Sequence, residues 1–345
     1  MSAVDSPGGT RAVRIEEPGR LRVVAAEPRP PGPAEALVRV AWSGICGSDR
    51  EVLAGTRPAG YVRYPVVPGH EWSGTVVSVG DGALADLVGR PVVGEGFRSC
   101  GRCTACRRGD TNLCEADYDE TGFTQPGAWA DYLTLPARLL HVLPDGADLR
   151  AAAALEPAAC VAAACLKVAP VPGERVAVVG AGTLGLLATQ LLHAGGPGEL
   201  TVVDPKADRG DLAHRCGATA LLSPAEASTT SAGRFDVVVE AAGAAGAARL
   251  AVRLARRGGR VALLGIPGAD DDPPSTTDLV VNQVTVLPVF GAPSRAWSHA
   301  VRAFASGVLD PAAVITHEFP LTEAPAALDL LTNRRAGAVK VLLQP

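Results

Sequence analysis

The sequence predicts an α/β protein of two domains, in which a β-rich domain is interrupted by a domain built on a doubly wound parallel sheet. Three observations support this prediction. The chain has 345 residues, 47% of them hydrophobic, which exceeds the size at which a single core stops growing. Short β-branched segments occupy the chain from about Val13 to Val93, and strand-like and helix-like segments alternate from Arg175 onward.

The β-rich domain is predicted from short segments that Pro and Gly clusters separate. AVRI, ALVRVAW, GTVVSVG and, after Trp129, DYLTLP have the β-branched and aromatic composition of strands. The C-terminal segment KVLLQP is also strand-like, and it can return to the same domain. We therefore assign residues 1–156 and 293–345 to this domain.

The α/β domain is predicted from five apolar strand segments that follow a helix over Glu156–Val168. RVAVVG, LTVVD, FDVVVEAAG, RVALLGI and TVLPVF alternate with predicted helices over Thr183–His193, over Ala207–Cys216 and up to Arg257. Strands as apolar as these are typical of a parallel sheet that is covered on both faces. We assign residues 157–292 to this domain.

The composition excludes several classes of partner. The formal net charge of −4 and the isoelectric point near 5.9 disfavour nucleic acids and anionic membranes, which need a basic surface. The apolar run from Ala151 to Ala169 is interrupted by Glu156, Pro157 and Lys167, so no segment reaches the ~20 residues of a spanning helix. We expect a cytoplasmic protein that binds neither nucleic acid nor membrane.

A cysteine-rich lobe at about residues 95–115 indicates a structural zinc site. Its run CGRCTACRRGDTNLC has C-x2-C-x2-C-x7-C spacing and supplies the four thiolates Cys100, Cys103, Cys106 and Cys114. A closed set of four sulfur ligands leaves no position open for chemistry, so the metal would order the lobe. The alternative is disulfide pairing in a secreted protein, which we do not expect because the other cysteines lie in apolar segments.

A glycine-rich loop predicts a dinucleotide site. The strand RVAVV continues into GAGTLG, whose glycines Gly180, Gly182 and Gly185 have G-x-G-x-x-G spacing, with Thr183 and Leu184 between the last two. The first glycine permits a tight turn, the second lets a pyrophosphate approach the backbone, and the third allows close packing of helix on strand. The alternative is an ordinary tight loop of an α/β sheet.

Asp204, at the end of the next strand, bears on the choice of nucleotide. A carboxylate there accepts hydrogen bonds from the adenosine ribose and repels a 2′-phosphate, so we expect NAD rather than NADP. Lys206 and Arg209 follow closely, and they leave NADP open because either could attract a phosphate.

Three residues are candidate ligands of a second, catalytic zinc. Cys46 lies in SGICGSDRE, His70 lies in GHEWSGTVVSVGDGA, and Glu156 lies in ALEPAA. One cysteine, one histidine and one carboxylate leave a fourth position vacant for substrate. For His70 alone, a hydrogen-bonded core histidine is the alternative.

The chain resembles the zinc-dependent medium-chain alcohol dehydrogenases. GHEWSGTVVSVGDGA matches their signature G-H-E-x2-G-x5-G-x2-A throughout, and the cysteine lobe and glycine loop follow in the family's order. The resemblance implies a GroES-like β domain, a Rossmann domain and two zinc ions per chain. It also implies an enzyme that moves a hydride between an alcohol or ketone and NAD, as a homodimer or homotetramer.

The resemblance also implies roles for single residues. Cys46 and His70 become zinc ligands, and Glu71 binds zinc directly or during turnover. Glu156 replaces a second cysteine, as glutamate does in sorbitol and threonine dehydrogenases. Ser48 passes the alcohol proton outward. Glu51 stands where many relatives continue that relay with a histidine, so it either accepts the proton or is a plain surface carboxylate.

The substrate is less determined than the reaction. YPVVPGHEWSGTVV with ICGSD resembles 2-deoxy-scyllo-inosamine dehydrogenases, whereas GEG before the cysteine lobe resembles threonine dehydrogenase. We expect a cyclitol, amino-cyclitol or other polyol, with a threonine- or sorbitol-type substrate as the alternative. Glu95 is a candidate partner for a substrate ammonium, or else a carboxylate in a structural turn. A zinc-free reductase, a non-catalytic zinc- and nucleotide-binding protein and a zinc-ribbon nucleic-acid binder are the rival classes.

Overall fold

The computed structural model describes residues 9–268, 271–332 and 337–345. These residues form two compact units, which lie within Met1–Glu156 plus Ile315–Pro345 and within Pro157–Val314. The second unit therefore ends later than the expected residue 292. One contact that joins the added segment to this unit is made by Gln190, whose side chain exchanges two hydrogen bonds with the backbone of Asp310, at 2.7 and 3.0 Å.

The described chain contains fifteen strands and eleven α-helices. The strands are β1 (Arg11–Glu17), β2 (Arg20–Ala25), β3 (Glu35–Gly44), β4 (Trp72–Val79), β5 (Pro91–Gly94), β6 (Tyr132–Pro136), β7 (Leu140–Val142), β8 (Arg175–Val179), β9 (Glu199–Val203), β10 (Ala220–Leu222), β11 (Phe235–Glu240), β12 (Ala255–Leu263), β13 (Thr285–Pro288), β14 (Ile315–Pro320) and β15 (Lys340–Gln344). The helices are α1 (Gly47–Ala54), α2 (Thr104–Arg107), α3 (Leu149–Ala152), α4 (Leu155–Val168), α5 (Thr183–His193), α6 (Gly210–Arg215), α7 (Pro224–Thr230), α8 (Ala247–Leu254), α9 (Thr276–Asn282), α10 (Ser294–Ala305) and α11 (Ala324–Thr332).

The first unit is built around β3, which is the longest strand of a seven-stranded sheet. The sheet has the order β14-β15-β3-β4-β5-β7, and β6 also pairs with β3. The C-terminal strand β15 pairs with the end of β3, which confirms that KVLLQP returns to this unit. Alternate residues of β3 point into a core that includes Trp72 and Leu135, both 2% exposed or less.

The second unit contains a six-stranded sheet in the order β10-β9-β8-β11-β12-β13, and all its neighbouring strands are parallel. The chain direction across the sheet changes between β8 and β11. In a doubly wound sheet a ligand binds at the carboxyl ends of strands at this switch point. The four central strands have almost fully buried valines and alanines, as expected for a sheet covered on both faces.

Two helices differ from the sequence expectation. The helix expected up to Arg257 ends at Leu254, because the backbone of residues 253–254 already accepts hydrogen bonds from Gly233 and Arg234 and the chain then extends as β12. The helix expected over Ala207–Cys216 begins with a 3₁₀ turn over Ala207–Arg209. Among the described residues, no helix is long and apolar enough to cross a membrane.

Candidate active site and metal centres

Cys46, His70 and Glu71 come together at the ends of two paired strands. Cys46 follows β3 and caps the start of α1, and His70 and Glu71 directly precede β4. The backbone N–H of Gly44 donates to the carbonyl of Glu71 at 2.8 Å, which joins the two strand ends. As a result, one ligand atom from each of the three side chains lies within 4.8 Å of the others.

Asp49 connects two members of this group. One carboxylate oxygen accepts a hydrogen bond from the backbone N–H of Cys46 at 2.8 Å, and the other lies 3.7 Å from Nδ1 of His70. That second oxygen and His70 Nδ1 are both buried without a hydrogen-bond partner. A metal on the other ring nitrogen of His70 would fix the ring with Nδ1–H toward Asp49, so the residues present fit a zinc ion.

Lys340, on β15, holds the third member of the group. Its Nζ donates to Oε2 of Glu71 at 2.5 Å and to the carbonyl of Ile45 at 3.0 Å, and both charged side chains are at most 4% exposed. Burial alone would lower the pKa of Lys340, but the charges of Glu71 and Cys46 raise it above its ordinary value. The pair needs Gly44, since a Cβ there would lie 2.1 Å from Glu71 Oε2.

The other predicted catalytic residues lie around this group. Glu156 stands in the first turn of α4 and is not one of the three grouped ligands, although its charge acts on Lys340. Ser48 is partly exposed in the first turn of α1, and its hydroxyl makes no hydrogen bond within the described part of the chain. Glu51 pairs with Arg57 at 3.6 Å.

The four lobe cysteines also form one group, with their sulfur atoms within 4.8 Å of one another. Backbone N–H groups of Arg102 and Cys103 lower the pKa of Cys100 to about 6. Burial and the neighbouring thiols raise the pKa of Cys106 to about 12. Four thiols this close cannot all ionise without a cation among them, so the donor set fits a closed zinc site.

The glycine loop has the geometry that its spacing predicts. Gly180 has a φ of +105°, and a Cβ on Gly185 would lie 1.7 Å from the Gly180 carbonyl, so neither tolerates a side chain. Gly182 differs, because no atom lies within 4 Å of the position that a Cβ on this residue would occupy. This open space is at the N-terminus of α5, where Thr183 and Leu184 are partly exposed, and it fits a pyrophosphate.

Asp204 borders a cavity of about 440 Å³ beside this loop. Its carboxylate accepts hydrogen bonds from the backbone N–H groups of Ala181, at 2.7 Å, and Lys206, at 2.8 Å. The carboxylate is thereby fixed where β9 ends. Arg209, the other predicted cofactor contact, is 7% exposed and is not among the residues that line the cavity.

A cluster that no sequence motif indicates lies beside His70. The guanidinium of Arg57 lies 3.9 Å from the ring centre of Phe123, and the Phe123 ring centre lies 4.8 Å from that of His70. Arg57 donates to the Tyr118 hydroxyl at 2.9 Å, and this hydroxyl donates to Glu120. The pKa of Glu120 is raised to about 7, because burial raises it by more than the nearby charges of His70 and Arg57 lower it.

Glu95, the predicted ammonium partner, has a different neighbour. It is 4% exposed, and one of its oxygens lies 3.1 Å from Nε2 of His141. Strands β5 and β7 pair next to each other and bring these two residues together. The contact is therefore internal to the sheet.

A nucleotide-binding sheet together with two thiol-containing metal centres defines the class of zinc-binding dehydrogenases. Comparisons with known proteins agree with this class. The alcohol dehydrogenase GroES-like domain family matches residues 32–145, and the zinc-binding dehydrogenase family matches residues 183–306. The L-threonine 3-dehydrogenase of Streptomyces coelicolor is 32% identical over 331 residues, which are 94% of this chain and 96% of the relative. The chain belongs to the zinc-dependent medium-chain alcohol dehydrogenases.

Solved structures support the same fold and cofactors. A zinc-binding dehydrogenase from Sinorhizobium meliloti 1021 bound to NADP has a TM-score of 0.90 and 32% identity, with 98% of this chain and 100% of that chain covered. A cobalt- and zinc-bound thermostable alcohol dehydrogenase from Pyrobaculum aerophilum has a TM-score of 0.88 and 31% identity, with 97% and 99% covered. The protein is an oxidoreductase that uses zinc and a nicotinamide dinucleotide.

Proposed function

We propose that the protein oxidises a secondary alcohol whose neighbouring carbon carries an amine or a hydroxyl, with NAD as hydride acceptor, in the manner of threonine and sorbitol dehydrogenases. The observation that carries this proposal is the group formed by Cys46, His70 and Glu71. A cysteine, a histidine and a carboxylate are a ligand set for zinc with a position left for substrate. The proposal includes Glu156 as a carboxylate that can take the place of Glu71 on the zinc during turnover.

The chain's own residues have separable tasks in this reaction. Cys46, His70 and Glu71 would hold the zinc, Asp49 would orient the His70 ring, and Lys340 would hold the Glu71 carboxylate. When bound, zinc supplies a Lewis acid that lowers the pKa of a substrate hydroxyl, and NAD accepts the hydride. Ser48, with its free hydroxyl two positions after Cys46, would accept a hydrogen bond from the substrate hydroxyl and relay the proton outward, giving up its own hydroxyl proton as it takes the new one.

We infer that NAD is preferred to NADP. Asp204 presents a negative charge at the end of β9, where the adenosine ribose binds in a doubly wound sheet, and this charge repels a 2′-phosphate. The similar structure from Sinorhizobium meliloti holds NADP, so the two nucleotides need to be compared on this enzyme itself. The ratio of kcat/KM for the two nucleotides with one alcohol is the measurement.

The names of the relatives bear on the substrate. The similarity to L-threonine 3-dehydrogenase favours a vicinal amino alcohol over the cyclitol expected from the sequence. A panel of L-threonine, sorbitol, an amino-cyclitol and ethanol with NAD, followed by NADH absorbance, ranks these candidates. A clear preference for ethanol would refute the proposal.

The role of the first metal centre is tested by Cys46→Ser. We expect the zinc content to fall from about two to about one per chain and turnover to be lost, with the circular dichroism spectrum unchanged. Full activity in Cys46→Ser, or unchanged zinc content, would show that the reaction centre lies elsewhere.

We also infer a homo-oligomer that forms through the edge of the six-stranded sheet. Among the described residues the edge strand β13 has one side unpaired, and Val280, in the helix α9 that precedes it in the chain, is 75% exposed. Light scattering should give a mass of two or four chains, and Val280→Asp should lower it. A monomer at all concentrations contradicts this inference.

A further inference from the structure

We propose that Glu120 recognises an ammonium group on the substrate, on the carbon next to the alcohol that is oxidised. This inference rests on the proposed function, because it assigns a specificity-determining residue to the same site. It predicts that the preferred substrates are vicinal amino alcohols and not simple diols. No motif in the sequence indicates this role for Glu120.

The two oxygens of the Glu120 carboxylate have different surroundings. The side chain is 5% exposed, and its Oε2 accepts a hydrogen bond from the Tyr118 hydroxyl and lies 3.8 Å from Arg57. Its other oxygen, Oε1, accepts no hydrogen bond within the described part of the chain. One oxygen is held by Tyr118 and Arg57, and the other has its acceptor position unfilled by any described residue.

The charges around Oε1 are mainly negative. Arg57 contacts both Glu51 and Glu120, so the cluster holds two carboxylates for one guanidinium. Glu156 and Asp49 also act on Glu120 as like charges. A cation at Oε1 would compensate a carboxylate that is almost fully withdrawn from water. A neutral hydroxyl would supply a hydrogen bond without this compensation.

The cluster is close to the metal ligands. Phe123 contacts both Arg57 and His70, with 3.9 Å from its ring centre to the guanidinium and 4.8 Å to the His70 ring centre, and the charge of His70 acts on Glu120. The N–H groups of Thr124 and Gln125 donate to the Glu120 carbonyl, at 3.0 and 3.1 Å, so the turn that carries Glu120 is fixed. A small substrate held at Cys46 and His70 therefore has Glu120 as a neighbouring carboxylate.

The test compares Glu120→Gln with the unchanged enzyme on three matched substrates with NAD: 3-amino-2-butanol, 2,3-butanediol and 2-butanol. These share one secondary alcohol and differ only in the group on the next carbon. We expect Glu120→Gln to lower kcat/KM for the amino alcohol about 10- to 100-fold and to change the diol and 2-butanol less than about threefold. Calorimetric binding of 2-aminobutane to the enzyme–NADH complex should weaken by a similar factor.

Two further variants keep the result interpretable. Glu35→Gln is the matched control: Glu35 lies in the same unit and also pairs with an arginine, Arg29, at 2.8 Å. This variant should leave kcat/KM unchanged for all three substrates. Tyr118→Phe removes the donor to Oε2 and should reduce selectivity for the amino alcohol several-fold, which gives a second reading if Glu120→Gln does not fold.

The possible failures are distinguishable. An equal loss on all three substrates, or unchanged selectivity in both variants, overturns the role of Glu120 while the dehydrogenase proposal stands. An unchanged enzyme that oxidises none of the three alcohols, nor any of the larger panel, overturns the proposed function itself.

Discussion

Replacing Lys340 with methionine tests how the Glu71 carboxylate is held beside Cys46 and His70. Lys340 Nζ has two partners, Glu71 Oε2 at 2.5 Å and the Ile45 carbonyl at 3.0 Å, and the ion pair is buried. Methionine has a similar length and no charge, so in the protein without zinc at Cys46 and His70 it leaves Glu71 as an unpaired buried anion. We expect the free energy of unfolding to fall by about 3–5 kcal/mol, the usual cost of breaking one side of a buried pair.

The double variant Glu71→Gln/Lys340→Met separates the two contributions. It removes the stranded charge but leaves the Ile45 carbonyl without its donor, which costs about 1–3 kcal/mol. The double variant should therefore be about 2 kcal/mol more stable than Lys340→Met alone. Lys206→Met, at an exposed lysine, is the control and should change stability by less than about 0.5 kcal/mol.

Urea denaturation followed by tryptophan fluorescence suits this measurement. Trp42, Trp72 and Trp129 lie in the same unit as Lys340, and only Trp297 lies in the other, so the signal reports mainly on the relevant unit. A cost below about 1 kcal/mol for Lys340→Met would refute the reasoning. So would a double variant no more stable than the single one.

Three further predictions concern the other parts of the chain. Cys103→Ser should lower the zinc content by about one per chain and cause aggregation or a large loss of stability, because the cysteine lobe has few apolar residues of its own. A stable variant that has lost this zinc would contradict the prediction. Asp204→Ser should lower the kcat/KM preference for NAD over NADP roughly tenfold by removing the repulsive charge, and an unchanged ratio would exclude Asp204 from nucleotide selection. Asp236, on β11, contacts Arg256 on β12, at 2.5 Å, and the backbone N–H of Arg175 on β8; burial would raise its pKa, but these two partners lower the pKa below its ordinary value. The contribution of Asp236 to stability should therefore be constant above about pH 5 and be lost as the pH falls through the lowered pKa. The difference in unfolding free energy between the enzyme and Asp236→Asn should shrink below about pH 4, and a difference that grows on acidification would contradict the assignment.

The features that could be predicted from the sequence are those that depend on local spacing. The cysteine array, the glycine loop and the pair His70–Glu71 each lie within a short segment, and the structure brings each set together. The alternation of apolar strands and helices likewise predicted the parallel sheet, because valine, alanine and leucine dominate strands that are buried on both faces.

The features that could not be predicted depend on contacts between distant segments. Lys340 and Glu71 are 269 positions apart, and only the pairing of β15 with β3 brings them together. Glu120 lies in a turn without any motif, and its importance depends on Tyr118 and Arg57 around it. The second unit ends later than its sequence pattern predicts because the hydrogen bonds between Gln190 and Asp310 have no sequence signature.

Four buried charged side chains lie near the candidate reaction centre, and their positions argue for function. Asp49, Glu71, Glu120 and Lys340 are at most 5% exposed, and each contacts or acts electrostatically on Cys46 or His70. Each would be costly in an apolar core, and replacing a buried ion pair with hydrophobic side chains is often neutral or stabilising. A fold selected for stability alone would not need them, whereas a site that must orient a metal ligand and discriminate a charged substrate does. We therefore expect gains in stability at these positions to be accompanied by losses in zinc affinity or selectivity.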